Sequence, residues 1–287
     1  MRARLFGLSL VLAALAPMAA AAQEAPAAKS QDDGIVVTGQ REVTPKVAHH
    51  YVRQIMSSVD GQLIRFKDPV CPAVIGFADP YNAMIAKRIR KIAAKAGVRV
   101  AGEKCRGNLI LVLTPDADAL VKDMRKNNPE IFEGVNTVDL QRAFQDGPVH
   151  VWNTTEILNE DGQRATGGTL TVKSASILEL PTQQAIVGSM VVIDNDAALG
   201  KTLTQIADYT AMRALAGARP PKAGIEAETI LTLFDPQVVA PPRATSIDQS
   251  YLQGLYETRP TSRATTAMGR ISRRIRKNSK EPAAGEN

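Results

Sequence analysis

The sequence predicts an α+β fold of mixed α/β layers, a mostly antiparallel sheet packed by helices, and three stretches carry that reading. Asp79–Ala96 places Ile85, Ile89, Ile92 and Ala96 on one helical stripe, with Lys87, Arg88, Arg90, Lys91 and Lys95 outward. Asn108-LILVLT-Pro115 is a short continuous apolar run, the pattern of a strand buried on both faces. Residues 146–193 then read as strands, PVHVWNTTEI, GTLTVKSASILEL and QAIVGSMVVID, punctuated by GQRATGG and LPTQQ. The last two are expected to pair as a hairpin.

The other segments fall into place around these. Arg2 and Arg4 precede the apolar stretch Leu5–Leu15, and Ala19–Ala22 supply the small residues of a cleavage site, so residues 1–22 read as a signal peptide cut before Gln23. The apolar run is too short to cross roughly 30 Å of hydrocarbon as a helix, and nothing later approaches ~18 uncharged apolar residues. The mature chain is therefore expected in the periplasm, not membrane-spanning, with peripheral association left open. Residues 23–46 are poor in bulky apolar groups and read as a disordered lead. Residues 47–258 form the expected single domain. It opens with a helix from Tyr51 to Gly61 and a strand after it. The helix at 79–96 is capped by Asp79, with Pro80 first and Gly97 as its stop. Further helices are expected from Asp116 to about Lys126, Ala198 to Ala216 (ending at Gly217) and Ser246 to Tyr256. Residues 259–287 read as a basic tail.

Hydrophobic residues make up 44 % of the chain and aromatics only 4 %, so the core must be built from Val, Ile, Leu and Ala. The formal charge of +6 is concentrated at the C-terminus. Arg259, Arg263, Arg270, Arg273, Arg274, Arg276, Lys277 and Lys280 face no acidic residue over that stretch, which leaves residues 23–258 slightly acidic. In MGRISRRIRK, Met268, Ile271 and Ile275 form an apolar stripe bordered by Arg270, Arg273, Arg274, Arg276 and Lys277. That is the pattern of a surface-binding amphipathic segment, suited to an anionic outer-membrane surface or an acidic envelope partner, or else of a solvated terminus. Outside the cytoplasm nucleic acid is not an expected target.

Cys71 and Cys105 are the two cysteines of the chain, so one pairing exists. In an oxidising compartment they read as a disulfide; a metal or redox pair is the alternative, without C-x-x-C spacing or an intervening histidine to support it.

Candidate catalytic groups are scarce. The three histidines are His49 and His50, adjacent in the lead, and His150 on an expected strand. The sequence has no G-x-S-x-G, HExxH, P-loop or G-x-G-x-x-G motif. No cofactor is expected, and no catalytic or metal-ligating set can be named.

Two resemblances add to this. Ile35-Val36-Val37-Thr38-Gly39-Gln40-Arg41 resembles the IVVTGQR stretch that follows the signal peptide in many TonB-dependent outer-membrane receptors. It implies an accessory that adds a strand to a partner's sheet edge, or an inherited leader. Residues 176–256 contain ILELPTQQAIVGSMVVIDNDAALGKTLTQIADYTAMRALA, Glu228–Phe234 (ETILTLF) and Asp248–Tyr256 (DQSYLQGLY). This layout resembles an exported Gram-negative family related to zincin-type metallopeptidases, in which an edge strand and a second strand precede the helix carrying the metal ligands. The resemblance implies a zincin-like scaffold. At the HExxH position this chain reads Thr204-Gln205-Ile206-Ala207-Asp208, without a histidine or a glutamate to act as general base. Three protein ligands are needed to hold a catalytic zinc. The functional expectation is thus a non-catalytic binding or assembly module, with a hydrolase of non-standard site, acting on peptide or cell-wall substrates, as the alternative. Gln205, Asp208 and Arg213 are the candidate lining of a polar cleft, or else a solvated helix face.

Overall fold

Thr44 begins the first helix: its hydroxyl accepts from the Val47 N–H, and Pro45, which has no N–H to lose, takes the first helical position. The computed structural model describes residues 43–173, 176, 179–222 and 224–280. The expected signal peptide, residues 23–42 of the expected lead and the 35–41 segment lie outside the described residues. The end of that lead, Val43 to Lys46, is folded: Val43 is buried and Pro45 and Lys46 are helical.

Helix α1 spans Pro45–Ile55 and buries Ala48, Tyr51, Val52 and Ile55. A two-stranded antiparallel ribbon follows, β1 (Ser58–Val59) with β2 (Gln62–Leu63). Asp60 and Gly61 between them both have positive φ (48° and 75°), the Asp-Gly signature of a tight hairpin turn where a helix was expected to continue. Then come β3 (Arg65–Phe66), β4 (Pro72–Ile75), α2 (Tyr81–Lys95), β5 (Leu109–Thr114), α3 (Ala117–Asn127), a 3-10 turn (Pro129–Phe132), α4 (Thr137–Ala143), β6 (Val149–Asn159) and β7 (Thr182–Asp194). The chain continues through α5 (Asn195–Ala198), α6 (Leu203–Ala216), a second 3-10 turn (Ile230–Thr232), α7 (Ser246–Glu257) and α8 (Ala264–Lys280). Asp79 does not cap α2. The helix starts at Tyr81, and Asn82 closes the entry instead, accepting from the Phe77 N–H and donating to the Phe77 carbonyl at 2.7 Å.

The central sheet is built on β7. Along one edge β7 pairs antiparallel with β6. Along the other it pairs parallel with β3 at Ala185–Ile186 and then with β5 at Ser189–Asp194, and β4 adds parallel to β5. The sheet is therefore mostly parallel, not mostly antiparallel, and the small antiparallel sheet is the β1–β2 ribbon. Among the described residues the expected hairpin between GTLTVKSASILEL and QAIVGSMVVID is not seen; the antiparallel partner of β7 is β6. A strand covered on both faces needs apolar groups on both. Strand β6 buries Val151, Trp152 and Leu158, whereas GTLTVK alternates Thr and Lys with its apolar residues and offers one thin stripe.

Helices cover both faces. Leu109, Leu111, Val191 and Ile193 face the main core shared with α2 and α6, while Trp152 and Val192 face α3, α4 and the first 3-10 turn. There Phe132 packs against Trp152 at 4.8 Å and Phe144 at 4.9 Å between ring centroids. Outside α6 lie α1, α7 and α8. The stripe expected to bind a surface or to end in solvent is inside this bundle: Ile271 and Ile275 of α8 are buried and Met268 half-buried, joined by Ala264 and Ala267 against α1 and α7. Gly254 permits that approach, since a Cβ there would stand 3.2 Å from the Ile271 Cα. Residues 264–280 thus belong to the folded body, with Arg270, Arg273 and Lys277 exposed on its outside.

Cys71 and Cys105 form a disulfide, with Cα atoms 6.0 Å apart. It joins the chain entering β4 to the connector before β5 and so encloses the β4–α2 segment. The same connector is already held by Asn108, whose carboxamide accepts from the Cys71 N–H at 2.7 Å and donates to the Pro69 carbonyl, and by Arg90 on the Ala101 carbonyl. A loop of 34 residues would be stabilised by roughly 3–4 kcal/mol from chain entropy alone. With those restraints and the stiff Pro69 and Pro72 present, Cys71→Ser is expected to cost about 2–3 kcal/mol in urea unfolding under oxidising conditions. A midpoint unchanged from wild type would show that the bond adds nothing to the restraints around it.

Candidate functional site

Helix α6 carries all three residues of the expected cleft and sends them to three different places. Gln205 sits in the capping box at its N-terminus, where the Thr202 hydroxyl accepts from the Gln205 N–H and the Gln205 carboxamide oxygen accepts from the Thr202 N–H. Its amide also donates to the Pro241 carbonyl at 3.0 Å. Gln205 is a structural clasp.

Asp208 is 1 % exposed and lies under the Arg88 guanidinium of α2, which donates to both carboxylate oxygens, with Nη2 at 2.7 Å from Oδ2. The Ala244 N–H donates to Oδ2 at 2.7 Å. Asp208 forms the floor of a small pocket of about 130 Å³ lined also by Lys91, Lys95, Arg243, Gln249 and Gln253. Its charge is fully used inside the fold, tying α6 to α2 and to the approach of α7.

Arg213 lies five residues on, about 500° around the helix, and so on a different face. It donates to the Tyr209 hydroxyl at 2.6 Å and stands 5.5 Å from that ring's centroid. It lines a larger hollow of about 640 Å³ between the end of α6, the start of β6, α4 and α1. Arg53 comes from α1, Arg142 from α4, and Arg219 and Lys222 from the chain that leaves α6. Gly217 ends α6 in the left-handed conformation at φ 58°, which turns Arg219 toward the hollow; a Cβ there would lie 2.5 Å from Ile64 Cδ1. The walls include Met56, Val149 and Val151, with Gln54, Gln145 and Asn153 as amides.

The charge balance of this hollow is one-sided. Among its described lining residues Asp139 is the one carboxylate, and it is occupied: Arg219 donates to Oδ1 at 2.7 Å and Asn136 to Oδ2 at 2.6 Å. Arg53, Arg142, Arg213 and Lys222 form no ion pair with any described residue. Burial, and then the neighbouring Arg219 and Arg213, push the Arg142 guanidinium below its ordinary range, with Asp139 opposing. Elsewhere on the surface some cations are paired, Arg164 with Asp68 and Glu156, Arg259 with Glu179, Lys122 with Asp146, Lys173 with Asp161 and Arg274 with Glu257, while others, such as Lys87 and Lys126, stand apart in solvent; the hollow differs in gathering its cations in one place.

The tail cations named from the sequence are spread around α8, and Arg274 also donates to Gln253 of α7 at 3.3 Å. His150 is 2 % exposed, with Nδ1 2.9 Å from the Ala143 carbonyl and Nε2 3.1 Å from Asp118, a core position. Among the described residues no group of three His, Cys, Asp or Glu side chains is placed to hold a metal ion, and no helix is long and apolar enough to cross a membrane. Sequence reading named Arg213 but missed Arg53, Asp139, Arg142, Arg219 and Lys222, which stand in three separate segments with no shared spacing. The one local signal was Ala218-Arg219-Pro220-Pro221-Lys222, cations fixed by prolines directly after a helix stop. No protein-family model matches this chain, and neither does any curated protein or solved structure.

Proposed function

We propose that the chain is an exported protein of a bacterial-type periplasm that acts as a non-catalytic binding module for an anionic ligand, on a degenerate zincin-like scaffold. The observation that carries the reading is the hollow beside Arg213, where four cations from four chain segments stand without ion-pair partners among the described residues. Guanidinium groups gathered in this way are donors aimed at carboxylate or phosphate oxygens, and a hollow of this size is in the range of small-molecule sites. The scaffold reading is supported by the succession of edge strand β6, second strand β7 and helix α6, the order that the family layout implies. The signal-peptide pattern of residues 1–22 and the disulfide support export. In the envelope, the exposed Arg270, Arg273 and Lys277 are the surface toward an acidic partner or the anionic outer membrane.

Two measurements test this reading. Full-length precursor expressed in a Gram-negative host is expected in the periplasmic fraction with residues 1–22 removed. The purified mature protein is expected to carry no stoichiometric zinc and to leave peptide and cell-wall substrates intact. Hydrolysis abolished by a chelator, or by replacement of a residue of the hollow, would overturn the binding-module reading in favour of a hydrolase.

A further inference from the structure

The geometry points to a phosphate group as the ligand chemistry of the arginine hollow, carried by a small organic phosphate or by a lipid headgroup. The inference rests on the binding-module reading and names what that module binds.

The argument begins with cost. Placing like charges side by side in a partly enclosed space is unfavourable, and a chain that needed only solubility would spread or pair them, as this chain does with Arg164, Arg259 and Lys173. Here Arg142 and Arg213 are brought together with Arg219 by two helices and a glycine-stopped turn, so the crowding is built by the fold and not by one basic run. Asp139 does not relieve it. It is 8 % exposed, lies at the base of α4 and is already held by Arg219 and by its own capping partner Asn136. What is left facing the hollow is a set of cations and the neutral amides of Gln54, Gln145 and Asn153, with no second carboxylate among the described lining.

Occupants can be sorted by charge and shape. A cation is repelled. A single carboxylate has two oxygens on one side and can meet one guanidinium fork, leaving the others unrelieved. A phosphate monoester or diphosphate carries about two or more charges and oxygens pointing in three directions, so it can meet Arg142, Arg213 and the rim cations Arg53 and Lys222 together. The apolar wall of Met56, Val149 and Val151 then faces the organic part of the ligand. Arg142 is the clean probe. It is exposed, and its side chain forms no hydrogen bond or ion pair with a described residue, so its replacement leaves the packing of the fold intact.

The experiment is calorimetric titration of the mature protein at physiological ionic strength with pyrophosphate, glycerol 3-phosphate and citrate, beside sedimentation with phosphatidic acid vesicles. R142Q, R213Q and the remote control R270Q are run in parallel. Pyrophosphate is expected to bind more tightly than citrate. R142Q and R213Q should each weaken it by about tenfold or more, R142Q without lowering the unfolding midpoint, and R270Q should leave it unchanged. Binding of the vesicles alone, lost in R142Q, assigns the phosphate to a lipid headgroup and upholds the inference. Citrate binding at least as tightly as pyrophosphate would overturn the phosphate assignment while leaving the binding module standing. Pyrophosphate or vesicle binding that R142Q and R213Q do not weaken, or no binding of either at millimolar phosphate, would overturn the site. Release of inorganic phosphate from glycerol 3-phosphate would uphold the ligand chemistry and overturn the non-catalytic reading.

Discussion

Asp248→Ala is expected to cost about 4–5 kcal/mol, enough to leave little of the stability that a domain of this size ordinarily has. Asp248 is fully buried at the start of α7, and five donors converge on it. The Tyr51 hydroxyl of α1 donates at 2.7 Å, the Thr229 hydroxyl at 2.6 Å, the Ile230 and Thr245 N–H groups at 2.9 Å each and the Thr245 hydroxyl at 3.0 Å. Burial pushes the Asp248 carboxyl above its ordinary range, and the bonds from Thr229, Ile230, Tyr51 and Thr245 pull it back. Alanine removes the acceptor from two N–H groups and three hydroxyls; the Thr245 hydroxyl keeps the Glu228 carbonyl, and each donor left buried without an acceptor costs roughly 1–3 kcal/mol before relaxation. Asp248→Asn keeps one oxygen, turns an NH₂ toward donors, and should cost about half as much. Tyr51→Phe, which removes one donor and leaves an acceptor with four others, should cost about 1 kcal/mol. Urea unfolding of the three variants checks the order. An alanine variant within 1 kcal/mol of wild type would mean that the carboxylate does not join α1 to α7.

Arg88→Ala is expected to cost about 3 kcal/mol, and more than Asp208→Asn. The two partners differ in burial: the Asp208 side chain is 1 % exposed and that of Arg88 33 %. Removing the arginine strands a buried carboxylate with the Ala244 N–H as its remaining hydrogen-bond donor among those described, and uncompensated buried charge is the expensive outcome. Removing the charge of Asp208 instead leaves an arginine that can turn to water. The double variant Arg88→Ala with Asp208→Asn should therefore be more stable than Arg88→Ala alone, a coupling of about 1–2 kcal/mol in a double-mutant cycle. Strictly additive losses would show that the pair contributes no interaction of its own.

What could be read in advance follows physical range. The helices at 81–95, 117–127, 203–216 and 246–257 were legible because their signals are local: Asp116 opening one, Gly217 stopping another, an apolar residue every three or four positions. The strand at 109–114 was legible for the same reason. Strand partnership was not, because β7 could pair with anything of suitable polarity, and its partners are decided by burial summed over both faces of the sheet. The α8 stripe was read correctly as amphipathic and assigned the wrong surface, since a helix whose apolar face meets other helices carries the same pattern as one that meets lipid. Of the site, Arg213 was visible because a long helix displayed it. Arg53, Arg142 and Lys222 acquire meaning only when α1, α4 and the α6 exit are brought to one place, a property of contacts that no window along the chain contains.

The position of β7 has a consequence for time as well as for shape. Strands β3, β5 and β6 all pair with it, and all three precede it in the chain. Until residue 194 is available, β3 and β6 have no strand to join among those described, and the only central-sheet pairing open is β4 with β5 across α2, the segment that the disulfide encloses. Sequence-distant pairing of this kind raises the contact order, and the entropy of closing those loops must be overcome before their contacts form. Acquisition of the native sheet is therefore a late, nearly all-or-none event keyed to one segment, with a stapled β–α–β unit waiting as its template. A chain ending before Thr182 is a set of helices and unpaired edges, a species prone to associate with its own copies rather than a smaller version of the same protein.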